Sequence, residues 1–197
     1  MILVYDTETT DLWKKNVPLD HETQPHLVEL AAVLCEEDGA ERASFNLIVR
    51  PDGYDIPEFA SNIHGITTQI AAASGVPLVV AISALTHLWS CSDLVVCHNY
   101  EFDAKIIDIA IARLGREPTN RRPPGRCTMR LATPVLNLPP TEKMIAKGMR
   151  GPKRPSLMEA HVALVGEPFS GAHRAIDDAR AAARVFFRLK ELGHVTV

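Results

Sequence analysis

The chain has 197 residues, 46% of them apolar, and a formal net charge of −3; that length suits one ordinary domain, residues 1–197, with a sizeable core. The slightly acidic balance excludes a coat protein that holds nucleic acid through charge alone. No apolar run approaches the ~20 residues of a membrane span, the start lacks the basic region of a secretory signal, and Cys35, Cys91, Cys97 and Cys127 lack Cys-x-x-Cys spacing, so the expectation is a cytoplasmic protein with reduced thiols and no membrane contact.

The first stretch is an apolar run, Met1 to Tyr5, followed by Asp6-Thr7-Glu8-Thr9-Thr10-Asp11. The run predicts a buried strand. Side chains alternate along a strand, so Asp6 and Glu8 share a face. Two carboxylates side by side in a half-buried place repel each other and resist losing water, and a bound cation removes both costs. A polar turn ending the strand accounts for the same residues. Residues 12–25 read as a loop; Trp13, beside Lys14 and Lys15, either stacks on a base or anchors the loop to the body. Residues 27–36 and 42–49 are strands, with Asp38-Gly39 as the turn between them. Pro57 opens a short helix to residue 63. His64-Gly65-Ile66-Thr67 follows, and Thr67 caps a second short helix over 68–73.

The spacing of Val80, Ala84, Leu85 and Leu88 predicts a helix over 77–89. A short strand at 94–97 precedes a helix that Asn99 caps and Gly115 closes. Residues 116–155 are the least regular, with short elements at 127–136 and 141–147. Ser156 caps a helix to residue 165, and the last helix runs over 174–192. Its Arg180, Arg184 and Arg188 read as a solvated face. A strand hairpin followed by alternating helix and strand gives an α/β domain: a mixed sheet, helices on both faces, the first strand near the middle.

Charge is unevenly spread. Between Arg113 and Arg154 there are eleven basic residues and two acidic ones, a net +9 on a body of net −12. Such a segment suits a polyanion, although its many prolines also suit a solvated loop.

Other carboxylates stand where packing alone does not want them. Asp103 opens the helix after the buried 94–97 strand, on the side shared with Ile107, Ala110 and Leu114. Asp178 lies in the first turns of the last helix, five residues after His173 on a Gly-flanked loop. Asp6, Glu8, Asp103 and Asp178 are hard oxygen ligands suited to Mg²⁺ or Mn²⁺, and four acids can hold two such ions on a phosphodiester. His173 has the chemistry of a general base near neutral pH.

Three segments in this order, Asp6-Thr7-Glu8-Thr9-Thr10, His98-Asn99-Tyr100-Glu101-Phe102-Asp103 and His173-Arg174-Ala175-Ile176-Asp177-Asp178, resemble the motifs of the DEDDh (DnaQ-like) 3′–5′ exonucleases on the ribonuclease H-like fold. The segment His64-Gly65-Ile66-Thr67 matches as well. The resemblance implies a five-stranded mixed sheet and a two-metal hydrolysis of single-stranded DNA or RNA from the 3′ end, releasing 5′-mononucleotides. It implies that Asp6, Glu8, Asp103 and Asp178 hold two Mg²⁺, replaceable by Mn²⁺, with Glu8 also contacting the terminal 3′-hydroxyl, and that His173 is the base. Thr9, Thr10 and Leu12 would line the pocket for the last nucleotide, with His64, Phe102 and Trp13 as further candidates. Asp11 stands where the family often has Gly, which alters the pocket rim. An RNA-specific trimming enzyme is the second reading, and a catalytically silent nucleic-acid-binding or polymerase-associated module the third; the intact acids and His173 argue against the third. A chain ending soon after its last helix favours a free-standing enzyme, with a homodimer as one form and polymerase association left open.

Overall fold

The structure is a computed structural model that describes residues 1–118 and 122–195; Arg121 of the basic segment lies outside the described residues. In chain order the elements are β1 (Ile2–Thr9), β2 (Leu27–Cys35), β3 (Glu41–Ile48), α1 (Glu58–His64), α2 (Thr68–Ser74), α3 (Leu78–Ser90), β4 (Leu94–Cys97), α4 (Tyr100–Arg113), β5 (Gly125–Cys127), α5 (Thr128–Leu136), α6 (Glu142–Ala146), α7 (Leu157–Val165) and α8 (Ala175–Glu191). The five strands lie in the order β3-β2-β1-β4-β5. The β1–β2 and β2–β3 pairs are antiparallel, and β1–β4 and β4–β5 are parallel.

Burial follows from this order. β2 is buried at every position, as a near-continuous apolar strand should be when both faces are covered. β3 is the outer strand and largely exposed, with Glu41 and Arg42 at its start; charges on an edge discourage pairing with another chain. Leu3, Tyr5, Leu30, Ala32 and Val95 pack with Ile82, Leu85, Ile106 and Ile107 of α3 and α4. Alternate residues Ile2, Val4, Val33 and Val96 meet Ala179, Ala182, Ala183 and Phe186 of α8 on the opposite face. Small alanines let α8 lie close against the middle of the sheet. Helices on both faces and a central first strand therefore agree with the expected architecture.

Local sequence and structure part in several places. β1 does not stop where the apolar run stops. Its pairing with β2 continues through Asp6↔Ala31, Thr7↔Leu30 and Glu8↔Glu29, and the register shifts only after Glu8. Asp6 and Glu8 thus sit on a hydrogen-bonded strand, which removes the reading of a polar turn. Asn99 stands at the N-cap position of α4 but does not cap it with its side chain: it adopts φ 79°, ψ 47° and makes no cap hydrogen bond. Asn tolerates that left-handed conformation, and it is the bend that matters here. The basic segment is more ordered than its prolines suggest, since it holds β5, α5 and α6. β5 passes so close to α4 that a Cβ on Gly125 would meet the Tyr100 ring. The arginine face of α8 is ion-paired to Glu41, Glu167 and Glu191. All four cysteines are free; Cys35 and Cys97 are buried, Cys127 is half-buried and Cys91 is exposed. Among the described residues no helix is long and apolar enough to cross a membrane.

Ser156 begins α7 with a full capping box, its hydroxyl accepting from Glu159 N while the Glu159 carboxylate accepts from Ser156 N. Ser156→Ala is expected to cost about 1 kcal/mol. A thermal melt should read this as a fall in Tm of roughly 2–4 °C, and an unchanged Tm would show the cap to be idle.

Candidate active site

The carboxylates meet at the end of β1. Asp6 and Glu8 point to the α8 side of the sheet, continuing the row of Ile2 and Val4. Thr7 points the other way and donates its hydroxyl to Asp103 Oδ1 at 2.8 Å. Asp103 is held in the first turns of α4, 2% exposed. Asp178 comes from the first turn of α8 and is 9% exposed. Its Oδ2 accepts the His173 backbone N–H at 2.9 Å. That bond, with Gly171 at φ 75° and His173 itself at φ 67°, sets the exposed His173 above the acids. Ligand atoms of Glu8, His173 and Asp178 all lie within 4.8 Å of one another.

Electrostatics follow from this crowding. Burial raises the Asp6 carboxyl well above the ordinary range, and the charges of Asp103, Asp178, Glu8 and Glu29 raise it further. Burial, then Asp178 and Glu29, lift Glu8 to about 8. Burial takes Asp103 to about 7 against the lowering bond from Thr7. Asp178 is lifted to about 6, again by burial, while its bond from His173 opposes the shift. Among the described residues none of the four forms an ion pair with Lys or Arg. Four oxygen donors with mutually raised affinity for protons and no cationic partner fit divalent hard cations, which replace those protons.

Beside the acids lies a cavity of about 190 Å³ lined by Thr7, Glu8, Thr9, Asp11, Leu12, Phe59, Ala60, Ile63, His64 and Phe102. Its rim is apolar and open: Leu12, Phe59 and Ile63 are all more than half exposed. His64 is buried, its Nδ1 accepts from Ile66 N, and burial lowers its pKa. A larger cavity, about 690 Å³, lies between the 20–27 loop, residues 49–54 and the end of α4, and includes none of the four acids.

Of the residues expected from sequence, Glu8, His173 and Asp178 bring ligand atoms within 4.8 Å of one another, Asp6 and Asp103 lie near enough for their charges to act on this group, and Thr9, Leu12, His64 and Phe102 line the small cavity. Thr10 and Trp13 do not line it. Thr10 is 6% exposed and exchanges hydrogen bonds with His26, closing the neck of the 11–25 loop. Trp13 packs on the core beside α4, with the Lys15 and Lys105 ammonium groups each 5.9 Å from its ring centre. It is the loop anchor. The sequence reading missed Thr7, Phe59, Ile63 and Glu29. Phe59 and Ile63 carry an i, i+4 apolar signal. Glu29 is a lone acid in an otherwise apolar buried strand, which is signal enough to ask what holds it.

Two acids on a central strand, a third from a helix start and a fourth from a crossing helix beside an imidazole define a nuclease of the ribonuclease H-like fold. Comparison with known proteins gives the family. Residues 3–186 match the exonuclease family designated RNase T, and the chain belongs to that family of DEDDh, DnaQ-like exonucleases, a class of hydrolases. A Mycobacterium tuberculosis protein whose name describes a bifunctional exonuclease/endonuclease is 30% identical over 191 residues, 96% of this chain and 26% of that one. Escherichia coli exonuclease I bound to a dT13 oligonucleotide superposes with a TM-score of 0.76 at 18% identity, over 98% of this chain and 42% of the other; the same enzyme is known in a zinc-bound form with single-stranded DNA. Exonuclease X, bound to 5′-overhanging duplex DNA, gives 0.66 at 22% identity over 100% and 95% of the two chains. The chain thus spans about a quarter of the mycobacterial relative and two fifths of exonuclease I.

Proposed function

We propose that this domain is a 3′–5′ exonuclease that removes 5′-mononucleotides from single-stranded nucleic acid. The observation that carries the reading is the set of four acids, Asp103 and Asp178 buried and Asp6 and Glu8 half-buried, none ion-paired to Lys or Arg among the described residues, with His173 poised over Asp178. Asp6, Glu8, Asp103 and Asp178 would hold two Mg²⁺, or Mn²⁺ in their place, and such ions neutralise the phosphodiester and favour its attack by water. Thr7 fixes the Asp103 rotamer by its hydrogen bond. Leu12, Phe59, Ile63 and Phe102 embrace the terminal base, and the small volume of their cavity admits one nucleotide at a time. His173, free of ring hydrogen bonds among the described residues, takes a proton from the attacking water. Water oxygen bonds to phosphorus, the bond from phosphorus to the 3′-oxygen of the preceding nucleotide breaks, and that oxygen leaves with a proton.

The test uses 5′-labelled single-stranded DNA and RNA with Mg²⁺, Mn²⁺ or chelator, and Asp6→Ala beside the wild type. A ladder shortening from the 3′ end, lost with chelator and with Asp6→Ala, supports the reading. Cleavage of neither polymer with either metal would sink it and favour a binding module. DNA comes first, because the related exonuclease I and exonuclease X structures hold DNA. RNA-only cleavage would select the trimming enzyme.

The basic segment is proposed to guide the strand. Its end is pinned to the site, because His98, five residues before Asp103, makes hydrogen bonds to Thr128 Oγ1 and to the Pro155 carbonyl. Lys153 is spent on Glu159 and Arg122 on Asp108, whereas Arg150 and Arg154 form no ion pair among the described residues. Arg150→Gln with Arg154→Gln should therefore lower the slope of log K against log salt by about 1.4, since each phosphate contact to a single strand contributes about 0.7. An unchanged slope removes the segment from the binding surface.

A further inference from the structure

Glu29 is a fully buried acid outside the metal-ligand set. It lies opposite Glu8 on the neighbouring strand β2. Four donors converge on its carboxylate. Oε1 accepts from Arg174 Nη2 at 2.6 Å and from Asn46 Nδ2 at 3.1 Å, and Oε2 accepts from Arg174 Nε at 3.2 Å and from the Ala175 backbone N–H at 2.9 Å. Arg174 directly follows His173. It is the N-cap residue of α8, yet it supplies no side-chain cap. A helix start leaves its first N–H groups without partners, and here the cap for Ala175 reaches in from a strand 146 residues away in sequence. The forked guanidinium fits a carboxylate with two parallel bonds, which fixes orientation as well as distance.

We infer that Glu29 and Arg174 form a latch that positions His173 for proton transfer, so Glu29 is a positioning residue of the reaction. Besides its local backbone turn, two carboxylates hold the exposed His173 loop at this end: Asp178 accepts the His173 N–H, and Glu29 grips Arg174 and Ala175. The left-handed backbone of His173 lies between them and would relax if either were released. Because Glu29 sits on β2, the latch ties the loop to the strand paired with β1, which carries Asp6 and Glu8. The base and the acids thus share one rigid frame. The inference rests on His173 acting as the base.

The test is non-additivity. Single-turnover cleavage of a 5′-labelled single-stranded oligonucleotide with Mg²⁺ is compared for wild type, Glu29→Gln, His173→Asn and the double variant. Loss of the latch is expected to slow cleavage about 100-fold, the scale of a small misplacement of a reacting group, with oligonucleotide Kd unchanged. In the His173→Asn background Glu29→Gln should then cost nothing further. An equal loss in both backgrounds would overturn the latch and leave Glu29 a purely structural group. Arg174→Lys, which keeps a cation without the fork, should fall between wild type and Arg174→Gln; equal rates for all three overturn it too. Amide exchange on the metal-free protein gives a readout independent of activity: in Arg174→Gln the N–H groups of residues 172–175 should exchange faster while β1 and α4 keep their protection. Unaltered exchange at 172–175 overturns the latch. Should His173→Asn itself cleave at the wild-type rate, the general-base reading falls, and the exchange result still decides whether the latch holds the loop.

Discussion

His173→Asn is expected to slow cleavage by about 10²–10⁴, the contribution of a positioned general base, while leaving the affinity for a single-stranded oligonucleotide near wild type. Asn is a better probe than Ala. His173 adopts φ 67°, a conformation Asn tolerates and Ala resists, so Asn removes the imidazole and keeps the backbone bond to Asp178 Oδ2. The variant also has a kinetic signature. With no base to take the proton, cleavage must wait for hydroxide, and its rate should climb about tenfold per pH unit where the wild type has levelled. Wild-type rates in His173→Asn, or equal pH profiles, would remove the imidazole from the chemistry. Loss of oligonucleotide binding would instead place His173 on the substrate.

Much of this site was legible because each of its acids breaks a local pattern. Asp6 and Glu8 follow an apolar strand, Asp103 opens a helix on its core side, and Asp178 stands a fixed distance behind a His on a Gly-flanked loop. What could not be read was whether the strand continued beneath the first two. That depends on its partner: β2 goes on pairing with β1 as far as Glu8, and pairing is a property of two segments. Thr10 and Trp13 were drawn towards the pocket by their neighbours in sequence. The chain reverses between them, and the loop from residue 11 to 25 folds back so that Thr10 meets His26 and Trp13 meets Lys105. Asn99 is a common helix cap by residue type, but a bend after β4 needs its left-handed backbone more than its side chain. Glu29 shows the converse case. Its position in an apolar strand signals that something must satisfy it, and only the fold reveals that the donors come from Arg174 and Ala175.

The same burial that prepares the acids for cations should make the metal-free protein lose stability as pH rises above about 6.5. Acids whose pKa is higher in the folded protein bind more protons folded than unfolded, so their contribution to stability falls as pH rises from about 4. That loss continues through about 6 for Asp178, 7 for Asp103 and 8 for Glu8, and Asp6, also raised well above the ordinary range, adds to it. His26 and His98 oppose it at the acid end. Burial lowers both to about 4, so they bind fewer protons folded, and their contribution is lost as pH falls from about 6.5 towards 4. Above about 6.5 the histidines are neutral in both states and the acids act alone. Thermal melts in chelator should therefore decline between pH 6.5 and 8.5. Mg²⁺ binds the deprotonated acids of the folded chain, so its stabilisation should grow across the same interval. At 100 times Kd it is worth about 2.7 kcal/mol, or a rise in Tm of roughly 5–10 °C for a chain of this size. Asp6→Asn removes an acid that burial and its neighbours raise well above the ordinary range. At pH 8 the variant should melt above the wild type in chelator and gain little from Mg²⁺, because the charge that destabilises the empty site is the charge that binds the ion. A wild-type Tm that Mg²⁺ leaves unmoved at pH 8 would separate these carboxylates from metal binding altogether.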